Sequence, residues 1–221
     1  MSGHPEVSRR TLLTGGAAAA ALAGVGVWAA SGPTPSFAHG DRGPGNGRHV
    51  LVGYDSAYGS TGDVAVAIAD EFGAAGWRSE VRRVGEGIDL DRYQAAVLGA
   101  PVHRDAWKEE ATAFLSGHAD RLRQIPVALF LTSMSYGIDP DRARQDRAKR
   151  AILEQVARQA PSLTPIAMRP FGGFLDYGRM APINGLVYRG FAGNDTSGDF
   201  RDFDAIRAWG ADLAGQLRRK R

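Results

Sequence analysis

The chain contains no cysteine. That excludes a disulfide framework, thiolate metal sites, iron–sulfur clusters, a cysteine nucleophile and a lipidated cysteine anchor, so any redox chemistry must reside in a bound cofactor. An excess of one charge is also lacking: 27 basic and 24 acidic residues, scattered along the chain, give a net +3. The calculated pI near 9.4 reflects this small imbalance and gives a nucleic-acid backbone little to bind. No G-x-S-x-G elbow occurs and the five histidines show no metal-ligand spacing, which argues against hydrolysis and against a resident metal. What is present, 221 residues of which 43% are hydrophobic, with 29 glycines, suffices for one α/β domain.

Long hydrophobic runs are scarce as well. The alanine- and glycine-rich stretch Gly15 to Ala30, which carries no charge, follows Ser8-Arg9-Arg10-Thr11-Leu12-Leu13. Its 16 residues would reach about 24 Å as a helix, short of the roughly 30 Å hydrocarbon core, which suits a signal h-region better than a stable span. The segment resembles a twin-arginine export signal, with cleavage expected after Ala38 in Ser36-Phe37-Ala38; an uncleaved membrane anchor is the alternative. Removing residues 1–38 takes away two arginines and one glutamate and leaves a mature charge of +2. The twin-arginine route carries folded proteins, often with a cofactor inserted, so the resemblance implies an exported, extracytoplasmic protein with a bound cofactor. Residues 39–47 read as a flexible linker, because Asp41 to Gly47 holds three glycines and a proline and should form neither helix nor paired strand.

From residue 48 to 221 short apolar runs alternate with helical patterns. His49 to Tyr54 is the expected first strand. In Thr61 to Ala75, Val64, Ile68 and Phe72 recur every four residues, the stripe of a helix lying on a sheet, with Gly76 as its stop. Trp77 to Val84 alternates apolar and polar residues, as an edge strand with one solvated face would. Ala95 to Ala100 and Val127 to Thr132 are continuous apolar runs, expected of central parallel strands. Trp107 to Ala119 is the next helix. Asp139-Pro140 then opens a helix running to about Gln159, Thr164 to Leu175 holds a fifth strand, and Phe203 to Leu217 closes the chain, with Phe203, Ile206, Trp209, Leu213 and Leu217 on one stripe. Five parallel strands in the order 2-1-3-4-5, with helices on both faces, form a doubly wound, flavodoxin-like α/β sheet. Ligands then bind beyond the carboxyl ends of strands 1 and 3.

The loop Tyr54 to Thr61 lies there, between the first strand and the first helix. Backbone N–H groups at a helix start form an anion site, Ser56, Ser60 and Thr61 add hydroxyl donors, and Gly59 lets the backbone approach a phosphate closely. A Ser/Gly turn that merely caps a helix is the plainer alternative. With a Walker-type lysine and G-x-G-x-x-G both absent, a monophosphate suits the loop better than ATP or NAD.

Four segments in order carry a resemblance: Ser56-x-x-Gly59-x-Thr61; Ala96 to Pro101; Phe171-Gly172-Gly173-Phe174-Leu175-Asp176-Tyr177; and Gly198 to Trp209, which reads GDFRDFDAIRAW. Over nearly all of residues 48–217 the chain resembles the flavodoxin-domain family that includes menaquinone-dependent protoporphyrinogen oxidase. The resemblance implies FMN, with Ser56, Gly59 and Thr61 matching the phosphate loop and Ala57, Tyr58 and Ser60 supplying backbone donors. It departs at Asp55, where family members usually carry a hydroxyl residue, and Asp63 adds a second negative charge near the helix start. For the isoalloxazine ring the expected contributors are Pro101, Trp107, Thr132, Ser133, Tyr136 and Gly137, with Trp107 and Tyr136 as stacking residues. His103 is the candidate proton donor. Asp176, Tyr177 and Asp199 to Asp202 are expected to be structural, with Asp202 the N-cap of the last helix.

The function implied is an FMN-dependent oxidoreductase that passes electrons from a small-molecule substrate through flavin to a quinone. Met180 to Phe191, whose only charge is Arg189, would make a peripheral membrane contact or simply pack on the domain. Two alternatives remain: an exported flavodoxin-type electron carrier, disfavoured by the balanced charge, and a cofactor-free flavodoxin-fold binding module, favoured by Asp55.

Overall fold

Val50, Leu51 and Val52 are fully buried because the strand that carries them is covered on both faces. In the computed structural model, which describes residues 36–44, 46, 48–85, 87–102, 106–134, 142–161, 163–176 and 197–219, this strand sits near the centre of a sheet. The strands are β1 (Gly40–Arg42), β2 (His49–Tyr54), β3 (Arg78–Arg83), β4 (Ala95–Pro101), β5 (Val127–Ser133), β6 (Ala167–Gly172), β7 (Phe174–Leu175) and β8 (Gly198–Asp199). The helices are α1 (Ser60–Ala74), α2 (Glu109–Gly117), α3 (Ala119–Leu122), α4 (Arg142–Gln159) and α5 (Phe203–Arg219).

These elements belong to one compact unit, Pro35–Leu175 with Gly198–Arg221; the other unit is Met1–Thr34 with Asp176–Ser197. The export-signal reading of residues 1–35, and His103, Tyr136, Gly137, Asp139-Pro140, Tyr177 and Met180 to Phe191, lie outside the described residues. Among the described residues no helix is long and apolar enough to cross a membrane.

The main sheet runs β1-β3-β2-β4-β5-β6. From β3 to β6 it is parallel throughout, which is the expected 2-1-3-4-5 order and a flavodoxin-like α/β fold. Alternation along each strand divides the core. Val50, Val52, Tyr54, Val97 and Phe130 meet α1 through Val64, Ile68 and Phe72, and α5 through Ile206, Trp209, Leu213 and Leu217. Leu51, Leu98, Leu129 and Leu131 face Phe114 and Leu115 of α2, Leu122 of α3, and Ile152 and Val156 of α4.

Helix α1 stops as its sequence predicts. Gly76 adopts φ 85°, the Trp77 N–H donates to Phe72 O at 3.0 Å and the Gly76 N–H to Gly73 O at 3.0 Å. The Trp77 and Phe72 rings meet edge-on at 5.7 Å. This is a Schellman ending with its hydrophobic contact.

Three expectations are corrected. First, the linker does form a paired strand: β1 runs antiparallel to β3, with Asp41 opposite Glu80, and ion pairs Arg42–Asp70 at 2.9 Å and Arg78–Asp41 at 2.8 Å hold it. The sheet therefore has a sixth strand. Second, β3 is not a half-solvated edge. Ser79 and Glu80 are buried because each has a partner: Ser79 Oγ donates to Ala69 O at 2.6 Å, and Glu80 accepts from Tyr93 Oη at 2.8 Å and Arg82 at 3.1 Å. Third, the expected strand Thr164 to Leu175 breaks at Gly173, whose N–H donates to Ser133 O while its carbonyl accepts from Phe200 N–H. Beyond it β7 turns away to pair with β8.

Candidate functional site

Strand β2 delivers Asp55 and Ser56 to the carboxyl edge of the sheet, where the Asp55 N–H donates to Gly99 O of β4 at 2.9 Å. The chain then turns within a few residues. Ser56 Oγ accepts the Gly59 N–H at 2.8 Å, and Gly59, at φ 87°, is the N-cap of α1, whose start has no side-chain cap. The Gly62 N–H donates to Gly59 O at 2.9 Å in the first turn. Among the described residues the N–H groups of Ala57, Tyr58, Ser60 and Thr61 take no backbone acceptor. The start of α1 is thus a Ser/Gly turn with Gly59 at the N-cap, stapled by the Ser56 hydroxyl, and its remaining donors lie at the positive end of the dipole.

The second and third loops converge on the same edge. Val102 N–H donates to Thr132 O at 2.9 Å, and Thr132 Oγ1 lies 3.1 Å from Thr61 Oγ1, both residues being buried. Pro101 and Ser133 are half-buried beside them. Behind Ser133, a Cβ on Gly173 would stand 3.1 Å from Met134 N and Ser133 C, so the backbones approach closely there. Trp107 does not join this group. Its side chain is 5% exposed within the core that packs against α2 and α4, and its backbone is clamped by Gln155, which accepts from the Trp107 N–H at 2.9 Å and donates to its carbonyl at 3.1 Å. It offers no open face for stacking, because burial of the indole stabilises the domain more than exposure would.

Two carboxylates flank the loop. Asp55 is 2% exposed and its Oδ2 has no hydrogen-bond partner among the described residues. Burial, reinforced by Glu110, pushes its pKa up against Lys108, the Ser56 N–H and Arg83, so the electrostatic cost it presents to a phosphate falls with protonation. Asp63 is half exposed and is paired with Arg201 at 2.7 Å. With Asp63 paired, the open N–H groups and the Ser60 hydroxyl have donor chemistry suited to a phosphate monoester.

The opposite end of β2 carries a separate cluster. Among the described residues Asp41, His49 and Glu80 bring ligand-type atoms within 4.8 Å of one another. Arg78 holds Asp41, and Arg82 and Tyr93 hold Glu80. These cations and donors already satisfy the carboxylates, and a divalent ion would have to displace them.

Sequence reasoning missed two features at the loop. The segment Ser36–Ala38, expected to leave with a signal, packs on the domain: Tyr54 Oη donates to Ala38 O at 2.8 Å, Arg83 lies over the Phe37 ring at 4.2 Å, and a Cβ on Gly59 would collide with the Ser36 carbonyl. The second is Arg201, at the foot of α1 and legible in sequence only as part of the tail motif. Asp202 does act as an N-cap, its Oδ1 accepting the Ala205 N–H at 2.9 Å.

The architecture and the loop at the end of β2 define a doubly wound protein of the flavodoxin-like class. Residues 51–185 match the flavodoxin domain family, and the chain belongs to that family. No curated protein sequence matches it. Similar solved structures include a flavodoxin from the domain Archaea, 14% identical with TM-score 0.46, covering 77% of this chain and 99% of that one. The Flv1 flavodiiron core from Synechocystis sp. PCC6803 is 15% identical with TM-score 0.45, covering 80% of this chain. The chain spans 38% of the length of that core. Oxidised flavodoxin 2 from Bacillus cereus is 17% identical with TM-score 0.43, covering 77% and 99%.

Proposed function

We propose that the protein is an FMN-dependent oxidoreductase that passes electrons from a reduced small molecule to a quinone, resembling menaquinone-dependent protoporphyrinogen oxidase, and that it is exported by the twin-arginine route. The observation that carries the cofactor assignment is the start of α1, which has no side-chain cap and where the N–H groups of Ala57, Tyr58, Ser60 and Thr61 take no backbone acceptor among the described residues. Ser56 shapes this loop by holding Gly59, and Thr61 ties it to Thr132. Pro101, Thr132 and Ser133 border the place for the ring. Flavin, when bound, supplies the redox step, while the protein sets access and potential.

Asp55 favours a second reading, a flavodoxin fold that binds a partner without cofactor, since a buried ionised carboxylate beside the loop would repel a phosphate. The balanced charge weighs against a simple electron carrier, whose encounters depend on electrostatic steering. Enzyme and carrier separate in one experiment: quinone oxidation of the reduced protein, followed with and without residues 180–191 at low and high salt. The quinone reading expects the deletion to slow oxidation and salt to matter little. Strong salt dependence with no effect of the deletion would replace it with the carrier.

A further inference from the structure

We infer that Arg201 is a positioning residue for the phosphate loop: it fixes the first peptide of α1 and draws Asp63 away from the helix start, so that the loop receives a dianionic phosphate. The inference rests on the FMN reading of the site.

Arg201 is unusual for a cation next to an anion site, because four of its five N–H donors are taken. Its side chain is 8% exposed. Nε and one terminal nitrogen grip the Asp199 carboxylate at 2.7 and 2.6 Å. The other terminal nitrogen donates to Asp63 Oδ2 at 2.7 Å and to the Ser60 carbonyl at 3.2 Å. The guanidinium faces are covered by the rings of Phe174 and Phe203, at 4.9 and 5.0 Å. Such a planar, bidentate, stacked arrangement is one that lysine cannot reproduce.

Two consequences bear on the loop. The Ser60 carbonyl and the Thr61 N–H belong to one rigid, planar trans peptide, so a donor holding the carbonyl also fixes the direction of the N–H. Thr61 N–H is one of the open donors at the helix start. A carboxylate in the first helical turn is itself attracted to those donors, and Asp63 stands in that turn. Held by Arg201, it is drawn sideways and its charge is cancelled. Without Arg201, Asp63 would lose the cation that draws it aside at the start of α1.

The test compares FMN with riboflavin, which has the ring and lacks the phosphate, in titrations of the full chain and its variants. Arg201→Met should weaken FMN about tenfold or more, the loss expected when charge-assisted hydrogen bonds go, and leave riboflavin within about twofold. Asp63→Asn alone should bind FMN at least as tightly as the wild type. Added to Arg201→Met, it should recover several-fold of the loss. Arg201→Lys, which keeps the charge and loses the fork, should fall between wild type and Arg201→Met. Equal losses for FMN and riboflavin, or no recovery with Asp63→Asn, would overturn the inference. Should the wild type bind neither flavin, the FMN reading fails, and amide hydrogen exchange without ligand decides the clamp. Exchange at residues 56–61 faster in Arg201→Lys, with α4 unchanged, supports it; equal rates overturn it.

Discussion

Thr61 and Thr132 share a buried hydrogen bond, Oγ1 to Oγ1 at 3.1 Å, which joins the first turn of α1 to the end of β5. The loop read as a phosphate cradle and the strand end read as a ring contact are thus one unit. A change at either threonine should be felt at both.

Thr61→Val removes this bond, and with it the hydroxyl that the family resemblance assigns to the phosphate, while keeping the branched shape. FMN binding should weaken by about 1–3 kcal/mol, the range for a hydrogen bond to a charged group. Thr132→Val should cost less, since it removes only the support. Fluorescence titration checks both; equal affinity in wild type and Thr61→Val would mean that the hydroxyl does not reach the ligand.

Burial holds the Asp55 carboxyl above its ordinary value of 3.8, so the native state binds this proton more tightly than the unfolded chain does. The stability this provides is whole below the ordinary value and is lost as pH rises through the raised one. Asp55→Asn, which cannot ionise, should therefore melt above the wild type near pH 7, by a margin that narrows as pH falls toward about 4. Thermal melts at the two pH values test it, and a margin that does not change with pH would contradict it.

The opposite sign holds for His49. Burial first, then Arg78 against the opposing pull of Glu80, keeps its pKa below the ordinary 6.5. The unfolded chain then takes up the proton first, so stability is whole above 6.5 and falls as pH drops from there to the lowered value. Wild-type melting temperature should fall from about pH 7 to pH 5 more steeply than that of His49→Asn. Parallel curves would show that His49 titrates as it does in the unfolded chain.

Replacing Arg9-Arg10 by Lys-Lys should retain the precursor in the cell, and exported wild-type protein should begin at His39. Normal export of the variant, or a start before Ser31, would reject the signal proposed here. Cleavage after Ala38 also removes the carbonyl that accepts from Tyr54 and the Phe37 ring beneath Arg83. The chain starting at His39 should then melt lower than one starting at Ser36, because a part-buried hydrogen bond and an aromatic contact are lost.

Much of this fold was legible in sequence, and the reason is local. Strands β2, β4 and β5 are continuous apolar runs, and α1 and α5 carry stripes such as Val64, Ile68 and Phe72. Where the reading failed, the deciding partner lies on another element of the fold. Gly40–Arg42 looks like linker because its pairing depends on Asp70 and Arg78. Ser79 and Glu80 look solvated because Ala69 and Tyr93 satisfy them only in the folded sheet. At the site, Ser56, Gly59 and Thr61 could be read from one short loop. The role of Arg201 could not, since it joins Asp63 across 138 positions. Trp107 looked available because it opens a helical pattern, whereas Gln155 on α4 fixes it in the core.

The visible absorption spectrum of freshly purified protein, followed by identification of whatever heat or acid releases, tests the central claim most directly. The flavin account predicts a yellow protein that releases FMN and not FAD, because the loop at the start of α1 suits a single phosphate. A colourless protein that also fails to take up added FMN would contradict it and leave the cofactor-free binding module in its place.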